Sequence, residues 1–430
     1  MLAVVITAVS IFFMRDHWLR NTDNANILPL HRYTTPLEKP TGAGAMSPRL
    51  NSIHNQLHMI WLEPDNPSKN PSKALWHVKT ARWREESNSW SPAVIIHSSR
   101  QLFINWTDAP SISSTQSGRL YAHWLEKNKL DTPYAYDVQL AYSDDNGRHW
   151  QAMGTPSPEQ APHESAYDGF LSFLPSSDKM RAFWISARSP GANGSAEEQK
   201  KMTLQTVLLD PTAQQGQTLD ADICSCCNTT AIQAATGPII FYRNHTPHEI
   251  RDIYTVRHAD GKWSKPAAVH HDHWEINGCP VNGPKAATNG KLIAIAWFTA
   301  AGGEKQIKLA WSKDNGKSYS TPINIDTLSP DGPLGQIGLI MTPDGQAIIS
   351  WIGQVKQRKS ASIFLRRADA TGHISAYYEV HEIRANETKT VPQLAWLKAQ
   401  LFMTWTASQD GKKKTVLIKI PAAALNARPL

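Results

Sequence analysis

Cysteine is scarce in this chain: 4 residues in 430, all of them between positions 224 and 279. A disulfide framework running through the whole molecule is therefore excluded. Long apolar runs are missing too. The apolar stretch at residues 2–14 is 13 residues long, whereas roughly 20 are needed to span a bilayer. It has the length of a signal-peptide core, about 7–15 residues, but no basic residue precedes it, and Arg15 and Arg20 follow it. That order is wrong for an export signal and leaves a short anchor or a misplaced start codon. Residues 1–19 are read as a hydrophobic signal or anchor segment and residues 20–46 as a polar linker. An extracytoplasmic location, periplasmic or secreted, is expected, with membrane association only through this segment. Excess charge is also small. A net +7 is modest for the length, and the one dense run, Lys412, Lys413 and Lys414, lies between two strands of the last repeat. It reads as a solvated hairpin tip, so no nucleic-acid partner is expected. Nor is there a long stretch of period 3.6, which argues against a helical protein.

What the chain does have is a repeat. Seven short apolar runs end in an aromatic residue, at Trp61, Trp124, Trp184, Tyr242, Trp297, Trp351 and Trp405, spaced by 63, 60, 58, 55, 54 and 54 residues. A period of this size built from strand-length runs predicts an all-β propeller of four-stranded antiparallel blades over residues 47–430. Seven blades is the literal count, with six as the alternative if one run lies outside the ring. Such an array escapes the size limit of a single core, because each blade packs only on its neighbours. A second strand follows each aromatic-ended one, as at 136–143, 250–257, 306–312, 362–367 and 415–420. The strand-end aromatics are assigned to packing between blades rather than to a sugar platform.

After the second strand, two repeats carry the pattern S-x-D-x-G-x-x-aromatic. Ser143, Asp145, Gly147 and Trp150 form one copy, and Ser312, Asp314, Gly316 and Tyr319 form the other. The chemistry is that of a turn, with Asp accepting backbone N–H groups and Gly supplying a positive φ. On these residues the chain resembles the Asp-box (BNR-repeat) proteins of the sialidase superfamily over roughly residues 50 to 420. The resemblance implies an exo-alpha-sialidase-like propeller, six-bladed in the family's enzymes, with Asp boxes on the face away from the active site. It implies a glycoside hydrolase with three arginines clamping the substrate carboxylate, a Tyr activated by Glu, and an Asp acid/base. Carried onto this chain, the arginines are sought among Arg49, Arg188, Arg243 and Arg384, the catalytic groups among Tyr242, Tyr254, Glu249 and Asp168. The Arg-Ile-Pro element of such enzymes is absent, and Ser47-Pro48-Arg49-Leu50 is the nearest string.

With the Asp-box turns on one face, the second-to-third strand loops and the blade-to-blade crossovers share the other, around the channel mouth. All four cysteines map there. Cys224, Cys226 and Cys227 fall in one crossover and Cys279 in the next, with His245, His271 and His273 nearby. Three readings stand side by side: disulfides stapling long loops, a copper or zinc site of thiolate and imidazole ligands, or free or redox-active thiols. Trp274 lies among loop residues that need no core aromatic and is a candidate sugar contact. The expected partner is an acidic glycan or other small acidic ligand bound by a monomer. The alternatives are a non-catalytic metal-binding propeller and a protein-binding one stapled by its cysteines.

Overall fold

The computed structural model describes residues 27–67, 73–128, 135–156, 167–176, 178–187, 201–209, 216–355, 358, 360–384, 388–409 and 411–426. The described strands form seven sheets of four or five strands, one for each aromatic-ended run, so the ring has seven blades and the six-bladed alternative is excluded. The count holds because every run is a strand of the same kind. Gln56–Pro64, Leu120–Lys127, Lys179–Ser186, Gly237–Arg243, Ile293–Thr299, Ala347–Gln354 and Gln400–Gln409 are each second from the axis in their sheets. The innermost strands, one per blade, are Met46–Ile53, Ser111–Ser114, Asp168–Ser176, Thr230–Ala234, Lys285–Thr288, Gly335–Met341 and Gln393–Leu397. We number the blades 1 to 7 in that order.

The seven aromatics that mark the repeat are all buried between blades, as their period-2 strands require. Four of them also hold an incoming chain segment by hydrogen bonding a carboxylate. The Tyr242 hydroxyl donates to Asp220 Oδ2 at 2.5 Å, Trp297 Nε1 to Asp272 Oδ2 at 2.6 Å, and Trp351 Nε1 to Asp326 Oδ2 at 2.7 Å. In blade 1, Trp61 Nε1 donates to Glu63, whose other contacts include the backbone N–H of Gly42. Core and crossovers are thus fastened by the same residue. Trp351→Ala is expected to cost about 3–5 kcal/mol, the usual range for emptying a buried aromatic site. The check is the urea midpoint at unchanged denaturant slope.

The ring closes through both ends of the described chain. Thr35–Pro36 pairs antiparallel with Lys412–Pro421 as the outer strand of blade 7, and Ile27–Pro29 adds a parallel strand to the outer edge of blade 6. These residues fall in the stretch expected to be a linker. Nothing in their local pattern reveals the pairing, which depends on an edge some 380 residues away. Leu30 is buried in the core shared by blades 6 and 7. Residues 1–26 lie outside the described residues, and no helix among the described residues is long and apolar enough to cross a membrane.

Both S-x-D-x-G turns have one geometry. Asp145 Oδ1 accepts the backbone N–H groups of Arg148 and His149, and Asp314 Oδ1 those of Lys317 and Ser318, all at 2.9–3.0 Å. The Ser143 and Ser312 hydroxyls donate to those aspartates and accept the N–H of Gly147 and Gly316. Two strand starts moved. The last strand, expected from residue 415, begins at Lys412, so Lys412, Lys413 and Lys414 pair with Gln409, Ser408 and Ala407 in the blade 7 hairpin instead of forming its tip. The strand expected from residue 250 begins at Ile253, because Arg251 N–H instead donates to Trp274 O and Asn244 N–H reaches Asp252 O. Residues 250–252 therefore belong to the loop face.

Candidate functional site

The central channel opens, at the crossover end, into a cavity of about 210 Å³ to which all seven innermost strands contribute. Ser111, Thr230, Lys285 and Gln393, each the first residue of its strand, line it together with Arg49 and Ser172. The strands are not regular there. In blades 1, 3 and 6 the register slips between Met46 and Arg49, Gly169 and Ser172, and Gly335 and Gly338. Each slip contains a non-glycine residue at positive φ: Ser47 at 53°, Phe170 at 51° and Gln336 at 52°. A side chain from elsewhere in the ring holds each one by its N–H: Thr406 Oγ1, Asp108 Oδ2 and Asn282 Oδ1, at 2.8–2.9 Å. Bulges of this kind re-aim the side chains that follow them. In blade 1 the residue re-aimed is Arg49.

Two cations therefore face one cavity. Arg49 has a buried Nε with no hydrogen-bond partner, and neither Arg49 nor Lys285 forms an ion pair among the described residues. Burial pushes the Lys285 amine down to about 7, and the Arg49 charge adds to the shift. Arg49 is itself lowered by burial, opposed by the nearby Asp108. Asp108, in the crossover from blade 1 to blade 2, is pushed up to about 7 by burial, against the pull of the Phe170 N–H and of Arg49. Tyr167, whose hydroxyl donates to Ser225 O at 2.8 Å, is raised by burial and by the nearby Tyr136 and Asp108. Arg49 and Lys285 thus bring positive charge to the cavity, while Asp108 and Tyr167 lie behind its wall and do not line it.

Of the described residues singled out in the sequence, Arg49 alone lines this cavity. The Arg243 guanidinium is buried, and it donates to the carbonyls of Asn282 and Phe298 at 2.8 Å and of Arg251 at 2.5 Å. It lies 4.8 Å over the Trp274 ring, and that tryptophan is buried rather than presented to a ligand. Arg384 is exposed just past the outer strand of blade 6, Tyr377–Ile383. Arg188 lies outside the described residues. Asp168 is fully buried opposite Ser186. Tyr242 is raised by burial and by Asp220, while Tyr254, raised by burial, sits opposite it in the sheet. Glu249 contacts Arg251 at 2.6 Å and His245 at 3.3 Å, which hold its carboxyl below the usual range.

The cysteines do converge. Cys226 and Cys279 are bridged across two crossovers, with Cα atoms 6.0 Å apart. Cys224 and Cys227 are free and buried, with sulfurs 3.6 Å apart, and Cys224 Sγ lies 3.8 Å from Cys226 Sγ. The neighbouring Cys227 thiol holds the Cys224 thiol below its ordinary value, helped by Arg243 and by Arg251 Nη1 at 3.4 Å; burial drives Cys227 up. The histidines are engaged elsewhere. His245 sits between Asp222 at 2.7 Å and Glu249, and the His271 and His273 rings stack at 5.7 Å.

Asp108 and Lys285 were missed from sequence. The available signal was a charged residue at, or just before, the start of an innermost strand, where alternation points a side chain at the axis.

No protein-family model matches the chain, and no curated protein matches it in sequence. Among solved structures it is similar to an ulvan lyase of polysaccharide lyase family PL25, at 11% identity and TM-score 0.54, covering 92% of this chain and 100% of that one. It is also similar to the NanB sialidase of Streptococcus pneumoniae, at 11% identity and TM-score 0.48, covering 91% and 71%. The alpha-L-arabinofuranosidase Arb93A of Fusarium graminearum matches at 13% identity and TM-score 0.47, covering 92% and 99%. The likeness is one of fold.

Proposed function

We propose that this chain is a carbohydrate-active propeller that binds an acidic glycan at the mouth of its central channel, as the Asp-box resemblance implies. The observation that carries the reading is the pairing of Arg49 and Lys285 across one cavity, with no ion-paired carboxylate on either. Two like charges held together in a low-dielectric channel repel, and a bound carboxylate or sulfate would relieve that repulsion. The Ser172, Thr230 and Gln393 donors are spent on the carbonyls of Thr229, Pro284 and Val391, which leaves their oxygens as acceptors for sugar hydroxyls. The ulvan lyase is by its name a polysaccharide-acting protein of this fold, and a glycan partner is the corresponding proposal here. An extracytoplasmic setting fits such a partner.

The test is calorimetric titration with a sialoside and a uronate oligosaccharide against neutral oligosaccharides of equal length. Arg49→Ala and Lys285→Met should each weaken the acidic ligand at least about tenfold, the loss expected from removing one charge-assisted contact. Equal affinity for acidic and neutral sugars would sink the reading. Arg243→Ala, in contrast, should lower stability, since it strips donors from three buried carbonyls.

A further inference from the structure

We propose that Cys224, Cys226, Cys227 and Cys279 form a thiolate site for a thiophilic d10 cation, zinc(II) or copper(I), which the Cys226–Cys279 bridge closes and its reduction opens. The argument is independent of the channel ligand. The sulfurs of Cys224, Cys226 and Cys227 all lie within 4.8 Å of one another. Cys224 Sγ is 3.6 Å from Cys227 Sγ and 3.8 Å from Cys226 Sγ. A tetrahedron with metal–sulfur bonds of about 2.3 Å has edges of roughly 3.8 Å. Cys279, bridged to Cys226, holds a fourth sulfur beside this trio, though not within the same 4.8 Å of all three.

The surroundings suit thiolates. Cys224 Sγ takes a hydrogen bond from Arg251 Nη1 at 3.4 Å, and that arginine is oriented by Glu249 and by Ile276 O. An arginine against the cluster offsets the negative charge of several thiolates around one cation. With the nearby histidines held by carboxylates or by each other, the ligand set is sulfur alone. Such a set selects soft cations over calcium or magnesium. The two crossovers are also locked in place: the Gly283 backbone lies against Asn228, and the Thr230 hydroxyl donates to Pro284 O at 2.8 Å.

Opening the site takes two electrons. An external dithiol breaks the Cys226–Cys279 bond, delivers two electrons and two protons, and leaves as its own cyclic disulfide. Cys224, Cys226 and Cys227 then offer three close thiols, the released Cys279 moves in from beside them as the fourth ligand, and cation binding displaces their protons. Reoxidation of Cys226 and Cys279 by thiol–disulfide exchange with an external disulfide, which takes the two electrons and leaves as two thiols, removes two ligands and ejects the ion.

The experiment uses the full chain, reduced with dithiothreitol and desalted anaerobically, then titrated with cobalt(II) and zinc(II), with copper(I) in a competing chelator as a parallel arm. One ion per chain is expected, with thiolate-to-cobalt charge-transfer absorption, and binding at least roughly 100-fold weaker in the oxidised chain. Cys224→Ser and Cys279→Ser should each weaken the reduced site by a similar factor with circular dichroism unchanged. A reduced, folded chain that shows four reactive thiols and takes up no ion overturns the proposal. So does a chain that merely reshuffles to a Cys224–Cys227 bridge. If reduction unfolds the protein, zinc(II) must restore its circular dichroism, and failure to do so overturns it equally.

Discussion

Lys285→Met is expected to do two opposite things: weaken binding of an acidic ligand at least about tenfold and stabilise the fold. The amine lies in the channel without an ion partner, and burial holds it down to about 7. Because its folded value lies below the unfolded one, the folded chain binds fewer protons between pH 7 and about 10.4. The cost of Lys285 is therefore complete below pH 7, shrinks as pH rises through this window, and disappears above it. Wild-type stability should climb across the window by an amount on the order of a few kcal/mol, with the partial access of the side chain discounting it. The methionine variant should lack that climb. Asp108 works the other way, since its raised value means that stability falls as pH rises from about 3.9 towards 7. Urea titrations at several pH values separate the two slopes. For binding, the charged amine is the useful form. Acidic-ligand affinity should fall about tenfold per pH unit above 7, until the pH reaches the amine's value in the complex. A pH-independent affinity would remove Lys285 from the site.

Gly283→Ala should be the most damaging small change in the molecule. Its backbone angle is not the obstacle. An added Cβ would sit 2.0 Å from Asn228 O and 2.6 Å from Asn228 N, both backbone atoms that cannot swing away. The crossover carrying Cys279 would have to lift off the one carrying Cys224, Cys226 and Cys227. Overpacking of this kind costs about 1–3 kcal/mol and occasionally more, and the displacement here acts directly on the pairing of Cys226 with Cys279. The expected result is a lower urea midpoint together with a bridge that dithiothreitol reduces faster than in wild type. Gly261→Ala is the control, because its Cβ would meet nothing within 4 Å and only its φ of 74° counts against it. Equal reduction rates in wild type and Gly283→Ala would mean that the two crossovers move independently.

Much of the architecture was legible because it is written locally. An apolar strand ending in Trp351 and a turn nucleated by Asp314 each follow from a few consecutive residues, through side-chain alternation and side-chain-to-backbone hydrogen bonds. Copied at a steady interval, those local rules predict seven blades and the face on which the crossovers lie. The site was only partly legible. Arg243 has the sequence surroundings of a ligand-binding arginine, yet the carbonyls that consume its donors come from Arg251, Asn282 and Phe298. Trp274 looked like a loop aromatic free for a sugar, and it lies buried beneath that same arginine.

The sequence by itself determined the blade, its repetition, its turns and the gathering of cysteines on two successive crossovers. Tertiary structure alone decided which side chains share the channel, which sulfurs meet, and that residues 27–36 close the ring. The reason is distance along the chain. Arg49 and Lys285 share a cavity only because seven blades curve into a closed circle, and the register slip between Met46 and Arg49 turns Arg49 to the axis. No local period encodes a meeting between strands from opposite sides of that circle.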